Sequence, residues 1–332
     1  MEASSDTENF MTPKKEKLLS LAVPCYNEAL ALPYFIEEIQ KIRPLLPEIN
    51  IEVVLINDGS KDDTLETMQK ICSECSFVRY ISFSRNFGKE SAILAGLREA
   101  KGDWVAVMDA DLQDPPHLLP EMLRAVQEEG YDCVGTRRST RKGEPPIRSF
   151  FARAFYKIIN RISSIKLVDG ARDFKLLSRQ AVEALLSLPE VNRFSKGLYE
   201  WIGFKTKWIE FENVERVAGE TKWSFWGLFK YSIEGILSFS TAPLVLSALL
   251  GLFFMFLSIF GIIFLFIRQM MYHNSAYGWT SMTCIILLLS GVQLFCLGII
   301  GQYIAKMYTE IKKRPHYIVD KNNHSENINP KA

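Results

Sequence analysis

Trp104-Val105-Ala106-Val107-Met108-Asp109-Ala110-Asp111-Leu112-Gln113-Asp114-Pro115-Pro116 is the stretch on which the fold turns. Trp104 to Met108 is a short apolar run of the length and composition of a buried strand. It stops on two carboxylates, Asp109 and Asp111, with one small residue between them. A strand end of this kind offers oxygen ligands to a hard divalent cation shared with substrate phosphates. The same letters also describe a solvated strand-to-loop turn, in which Asp and Pro are common. The surrounding sequence has to decide between the two.

Three more apolar runs precede this one: Leu18 to Val23, Ile51 to Ile56 and Val78 to Phe83. Between them lie helical patterns. Leu32, Phe35, Ile36, Ile39 and Ile42 have helical spacing, as do Leu65, Met68 and Ile71 behind a cap at Asp62 or Asp63. Glu90 to Ala100, with Ile93, Leu94 and Leu97 inward, and Leu118 to Val126 complete the set. Strand and helix alternating at short spacing predict an α/β domain, a Rossmann-like, mainly parallel sheet with helices on both faces. Ligands of such sheets bind beyond the carboxyl ends of the strands. There the polar clusters fall: Tyr26-Asn27-Glu28, Asp58-Gly59-Ser60, Asn86-Phe87-Gly88 and Asp109-Ala110-Asp111. Four clusters on one edge read as a site.

Other classes are disfavoured. No G-x-x-x-x-G-K-[ST], no helix-opening G-x-G-x-x-G and no G-x-S-x-G is present. Lys plus Arg (39) nearly balances Asp plus Glu (38), so no global field argues for nucleic acid. The six cysteines are scattered, and Cys72-x-x-Cys75 lacks a second pair or a histidine cluster, which argues against zinc and for reduced thiols. The polar start, 1–17, has no apolar signal core and reads as a disordered lead-in.

From Pro243 the composition changes. Residues 243–267 and 282–304 are each long enough to cross about 30 Å of hydrocarbon. Lys306, Lys312, Lys313 and Arg314 follow the second run, so the positive-inside rule places the tail, 305–332, in the cytoplasm. An even number of spans then leaves the catalytic domain and both termini there too. Tyr272, Tyr277 and Trp279 would mark the far interface, and 223–242, opening with Trp223 to Tyr231, reads as an interfacial anchor. Between Arg137 and Lys166 basic residues (Arg137, Arg138, Arg141, Lys142, Arg148, Arg153, Lys157, Arg161, Lys166) interleave with Phe150, Phe151, Phe155, Tyr156, Ile158 and Ile159. That pattern suits a segment lying on anionic lipid. Arg137 and Arg148 are the best candidates to contact a phosphate, since guanidinium forks match its oxygens.

Pro24-Cys25-Tyr26-Asn27-Glu28, Asn57-Asp58-Gly59-Ser60, Arg85-Asn86-Phe87-Gly88-Lys89 and Asp109 to Pro115 together resemble family 2 glycosyltransferases of the GT-A fold. The likeness is closer to polyprenyl-phosphate enzymes, the bactoprenol glucosyltransferases and dolichol-phosphate mannose synthases. It continues through Asp173 to Arg179, Asn192-Arg193-Phe194 and Glu215 to Ser224. Asn57 stands in place of a frequent aspartate, Arg172 in place of the glycine before Asp173, and Lys175 in place of an arginine. The resemblance implies a GT-A catalytic domain over 18–222. In it Pro24, Tyr26, Glu28 and Asp58 hold the nucleoside, and Lys89 joins the donor set. It also implies that Asp109, Asp111 and Gln113 hold Mg²⁺ or Mn²⁺ and the donor phosphates, with Asp111 and Asp173 the catalytic pair. Asp173 would orient the acceptor and polarise the site, with base catalysis the weaker role and Asp169 a competitor. Arg216 and Lys222, with Arg137 and Arg148, are assigned to the acceptor or donor phosphate.

The function so implied is inverting transfer of one sugar, glucose first and N-acetylglucosamine next, from a UDP-sugar to undecaprenyl phosphate at the cytoplasmic membrane face. A homo-oligomer is compatible with it. Alternatives are a GDP-mannose polyprenyl-phosphate mannosyltransferase, a processive polysaccharide synthase and a non-catalytic membrane scaffold. The Gln-x-x-Arg-Trp motif and extra spans of the processive enzymes are not seen.

Overall fold

The computed structural model describes residues 17–139, 156–163, 165–212, 233, 235–272 and 278–323. Arg148, Arg216, Lys222, Tyr277 and the aromatic stretch Trp223 to Tyr231 lie outside them, as do Arg141, Lys142, Phe150, Phe151, Arg153 and Phe155.

The four expected strands form as β1 (Lys17–Cys25), β2 (Ile49–Asn57), β3 (Val78–Phe83) and β4 (Trp104–Val107). They alternate with α1 (Leu32–Ile42), α2 (Thr64–Glu74), α3 (Lys89–Glu99) and α4 (Leu119–Glu128). α1 buries all five of its periodic residues and has Pro33 in its first turn, where the missing N–H costs nothing. The two expected cap residues of α2 share the task. Asp63 occupies the cap position without a side-chain bond, while Asp62 Oδ1 accepts from the Thr64 N–H at 3.2 Å.

Beyond them the chain adds β5 (Cys133–Arg138), β6 (Ala171–Ser178), α5 (Arg179–Ser187), α6 (Ser195–Trp201) and β7 (Thr206–Phe211). Two long helices, α7 (Ala242–Tyr272) and α8 (Trp279–Ile311), and a last short strand, β8 (Val319–Asn322), follow. The sheet runs β7-β5-β6-β4-β1-β2-β3-β8. The β1–β2, β1–β4, β2–β3 and β5–β7 pairs are parallel, whereas β6 lies antiparallel to both β4 and β5, and β8 antiparallel to β3.

The central strands are buried on both faces, as expected of a parallel sheet covered by helices. Leu19, Leu21 and Val23 pack with α1, α2 and α4 on one side. Ala22 and Val105 pack with α3, α5 and α6 on the other.

The segment read as a tail is in part a sheet edge. Tyr317 stacks on Phe83 with ring centroids 4.8 Å apart, the Ser84 N–H donates to Ile318 O at 3.0 Å, and β8 pairs with β3. Residues before and after the helical hairpin therefore meet in one sheet.

α7 and α8 contain stretches, Ala242–Gly261 and Leu288–Ile311, long and apolar enough to cross a membrane. Their large side chains face outward: Phe253 is 60% and Leu294 70% exposed. A contiguous apolar surface of this kind marks a protein or membrane contact rather than the core helix of a soluble domain. The hairpin is membrane-associated.

Candidate active site

The site begins with three strand-end loops tied together. The Asp58 N–H donates to Cys25 O and the Asn27 N–H to Ser60 Oγ, both at 2.9 Å. Asn27 Oδ1 accepts from the Lys61 N–H, and Thr64 Oγ1 from the Glu28 N–H, again at 2.9 Å. Asn27 sits at φ 53°, a left-handed conformation that asparagine tolerates better than most residues. Gly59, at φ 61°, is pressed against the next loop, where a Cβ would lie 2.3 Å from the Arg85 carbonyl carbon. Only glycine satisfies both conditions there.

Asp58 is buried beneath these loops. Its carboxylate accepts from the Phe87 N–H at 2.7 Å and the Gly88 N–H at 3.0 Å. Burial pushes its carboxyl above the ordinary value, although those two amides oppose the shift. Asp58 thus braces the entry to α3, a role that its sequence position did not show. Pro24, Tyr26 and Glu28 remain partly exposed beside it.

The centre of the site is an alternating row of charges. β4 and β6 pair with Val107 opposite Lys175. Continuing that antiparallel register by two residues brings Asp109 opposite Asp173. Lys89, the first residue of α3, reaches both: its Nζ is 2.8 Å from Asp109 Oδ1 and 2.5 Å from Asp173 Oδ2. On the other side of Asp173, Lys196 Nζ lies 3.6 Å from Oδ1. Burial alone would raise the Asp173 carboxyl, but Lys196 and Lys89 hold it well below the usual carboxylate range. Burial likewise works against the Lys89 charge, and Asp109 and Asp173 overcome it, keeping the ammonium well above its ordinary range. Asp173 is therefore a poor proton acceptor and a good electrostatic anchor.

A second row lies alongside. Arg172 Nε donates to Asp114 Oδ1 at 2.7 Å and Nη2 to the Gln113 amide oxygen at 3.4 Å. Asp114 is fully buried; burial pushes it up to about 6 against the pull of Arg172, and its Oδ2 has no hydrogen-bond partner. Asp111 is also buried and accepts the Gln113 N–H at 3.1 Å. Leu112 between them is at φ 57°, a strained setting for a residue with a Cβ that recurs at functional turns.

For Mg²⁺ or Mn²⁺ the donor set fits in kind. Asp109, Asp111 and the Gln113 amide supply oxygen only, with two carboxylates, the usual protein share of a cation also held by substrate phosphates. Among the described residues no group of three or more His, Cys, Asp or Glu side chains is disposed to hold a metal by itself.

The remaining expected residues fall as follows. Arg137 reaches the same edge at the end of β5, where Glu210 of β7 pairs with it. Asp169 is exposed on the turn before β6. Of the two departures in the motif around Asp173, Arg172 enters the site, whereas Lys175 is buried against Glu200 at 3.0 Å and between the Tyr199 and Trp208 rings. Lys196, Arg172, Asp114 and Glu90, which holds the Ser195 N–H at 2.9 Å, were not singled out from sequence as site residues. The Asn192-Arg193-Phe194 motif stopped two residues short of Lys196.

A mainly parallel sheet of this order, with an Asp-Ala-Asp strand end among clustered loops, has the GT-A-like layout of glycosyltransferases. Residues 20–186 match the model of glycosyl transferase family 2, and the chain belongs to that family. It is 48% identical to the putative glycosyltransferase CsbB of Bacillus subtilis, over 93% of each chain. It is 40% identical to the bactoprenol glucosyl transferase of Shigella phage SfII, over 91% of this chain and 97% of that one. Among solved structures, glucosyl-3-phosphoglycerate synthase from Mycobacterium tuberculosis with Mn²⁺ and UDP-glucose is 18% identical over 67% of this chain and 77% of that one. Its TM-score is 0.43, a likeness too distant to bear on donor or metal.

Proposed function

We propose that this enzyme transfers one sugar, glucose before N-acetylglucosamine, from a UDP-sugar to a polyprenyl phosphate at the membrane surface, with inversion. The observation that carries the reading is the row Asp109–Lys89–Asp173–Lys196 on a domain whose sheet takes its last strand, β8, from beyond two long apolar helices. The likeness to a bactoprenol glucosyl transferase over nearly the whole chain supports the acceptor and the sugar.

In this reading Pro24, Tyr26 and Glu28 line the nucleoside cleft above Asp58, and Lys89 turns toward the donor diphosphate. Asp109, Asp111 and Gln113 would hold Mg²⁺ or Mn²⁺, whose charge would stabilise the departing diphosphate. An oxygen of the acceptor phosphate forms the new bond to the anomeric carbon as the bond to the UDP oxygen breaks, and UDP leaves with the electron pair. A phosphomonoester is already largely ionised near neutral pH, so no proton need be removed from it. The depressed Asp173 matches that chemistry. It serves to hold Lys89 and Lys196 in place, and Lys196 and Arg137 face the incoming phosphate. Lys306, Lys312, Lys313 and Arg314 set the flanks of the hairpin on the cytoplasmic side, where β8 rejoins the catalytic sheet.

The test is incubation of membranes containing the protein with undecaprenyl phosphate and labelled UDP-glucose, UDP-N-acetylglucosamine or GDP-mannose, with and without a chelator. UDP-glucose label should enter the lipid fraction and chelation should stop it. No lipid-linked product with any donor would sink the reading.

A further inference from the structure

The turn that leads into α6, whose second residue is Lys196, rests on the membrane hairpin. Near the end of α8, Glu310 Oε1 accepts from the Asn192 N–H at 2.9 Å and Asn192 Nδ2 at 2.8 Å, and the Val191 N–H is shared between Oε2 at 2.9 Å and Oε1 at 3.1 Å. Asn192 Nδ2 also reaches Thr309 Oγ1 at 2.8 Å. Four residues beyond Asn192 stands Lys196, beside Asp173.

A second contact comes from the residues leading into α7. The Phe239 ring lies against Gly197, where a Cβ would sit 2.3 Å from a ring carbon. The backbone around Phe239 is itself tied to α8, because Tyr303 Oη donates to Ser240 O at 2.6 Å and Lys306 Nζ to Ser238 Oγ at 2.8 Å. The start of α6 is thus gripped before and after Lys196, both times by the base of the hairpin. From the catalytic side, Glu90, next to Lys89, takes the Ser195 N–H.

α8 is one continuous helix of 33 residues, about 50 Å at 1.5 Å per residue, so the height at which it sits in lipid is passed rigidly to Glu310. A carboxylate accepting three donors through its two oxygens is a directional, charge-assisted grip. We propose that Glu310 is a positioning residue for transfer: by fixing Val191 and Asn192 it sets Lys196 against Asp173 and ties the geometry of the site to the depth of the membrane helix. This rests on the reading of the site as one that transfers a sugar to a lipid phosphate. Glu310 touches no reacting atom. It acts through the turn.

The experiment uses the full chain in nanodiscs: wild type, Glu310→Ala and Glu310→Gln. It measures turnover with UDP-glucose and undecaprenyl phosphate, the donor KM, and amide hydrogen exchange over 189–198. Glu310→Ala should lower kcat by about tenfold to a hundredfold, the usual cost of a slightly misplaced group, with donor KM within about twofold. Exchange at Ser195 to Gly197 should rise. Glu310→Gln keeps one oxygen in the place of Oε1, which all three donors reach, and loses only the second Val191 bond to Oε2, so it should restore most of both. Wild-type kcat in Glu310→Ala overturns the inference. So does a Glu310→Gln variant as defective as Glu310→Ala, or a donor KM that climbs in step with the loss, since either marks a general structural prop. Should wild type form no lipid-linked product while exchange still responds to Glu310→Ala and recovers in Glu310→Gln, the grip stands and the transfer reading falls.

Discussion

Two ionic clusters occupy the same sheet, and they are built differently. Toward the amino ends of the strands, Arg79 of β3 sits between Glu52 of β2 and Glu99 of α3. Its Nε donates to Glu52 at 3.2 Å, Nη1 to the Glu99 carboxylate at 3.0 Å and Nη2 to the Glu99 carbonyl. Glu52 also takes the Ser20 hydroxyl and the Lys101 N–H. Every nitrogen of that guanidinium is used, so the cluster is closed. At the carboxyl ends the row is centred on lysines, about a quarter to two-fifths of each side chain is exposed, and Asp114 keeps an unpartnered oxygen. An arginine fork fixes geometry, whereas a lysine ammonium is a point charge that can change partners. The closed cluster holds the fold, and in the proposed function the open one exchanges protein charges for those of a ligand.

Breaking the open cluster should cost activity and spare the fold. Asp109→Ala should lower formation of lipid-linked sugar by about a thousandfold, the scale of losing a main electrostatic contact in a site, while the thermal midpoint in detergent stays near that of wild type. Breaking the closed cluster should do the opposite. Arg79→Met strands two carboxylates that are mostly buried and should cost about 3 kcal/mol of stability, with kcat per folded molecule unchanged.

Smaller effects sharpen the contrast. Asp173→Asn removes the anchor between the two lysines and should reduce kcat by about tenfold or somewhat more, with UDP binding intact. Because Lys196 and Lys89 keep this carboxyl far below its ordinary value despite burial, it should contribute no limb to the wild-type pH profile near neutrality. Unchanged turnover would remove Asp173 from the catalytic group. The smallest expected effect is acid sensitivity of the closed cluster. Burial would raise the Glu52 carboxyl, but Ser20, the Lys101 amide and Arg79 together lower it from 4.5. A carboxylate with a lowered folded value contributes stability above its unfolded value and loses it as pH falls through the folded one. Denaturation midpoints should therefore decline below pH 4.5, and Glu52→Gln should flatten that decline.

The half of the sheet from β1 to β4 was legible because its local rules agree. Apolar runs alternate with helices whose buried residues keep strict spacing, as in α1. The other half conceals itself. β6 reads Ala171-Arg172-Asp173-Phe174-Lys175-Leu176-Leu177-Ser178, with three charges in its first five residues. One of them, Lys175, is only 2% exposed, its ammonium met by Glu200 and two aromatic rings. A buried lysine breaks the pattern by which a strand is recognised, and antiparallel insertion between β4 and β5 leaves no local mark. β8 has two charges in four residues and is held by Tyr317 and Asn323 on either side. Within the site, the Asp-Ala-Asp strand end and Lys89 were readable as letters. That Lys196 meets Asp173, and that Asp58 braces a loop, are facts of distance between remote segments. No spacing in one sequence encodes them.

The return of β8 to the sheet also has a consequence for biosynthesis. While the ribosome is still making α8, strand β3 has no partner yet on one side, although all six of its residues are buried in the finished protein. An apolar strand with an open edge is a template for unwanted pairing. That edge is closed by residues 319–322, which emerge only after both apolar helices. Synthesis of both apolar helices thus precedes the last step of domain closure, and a fragment cut before α7 would carry the uncovered edge permanently.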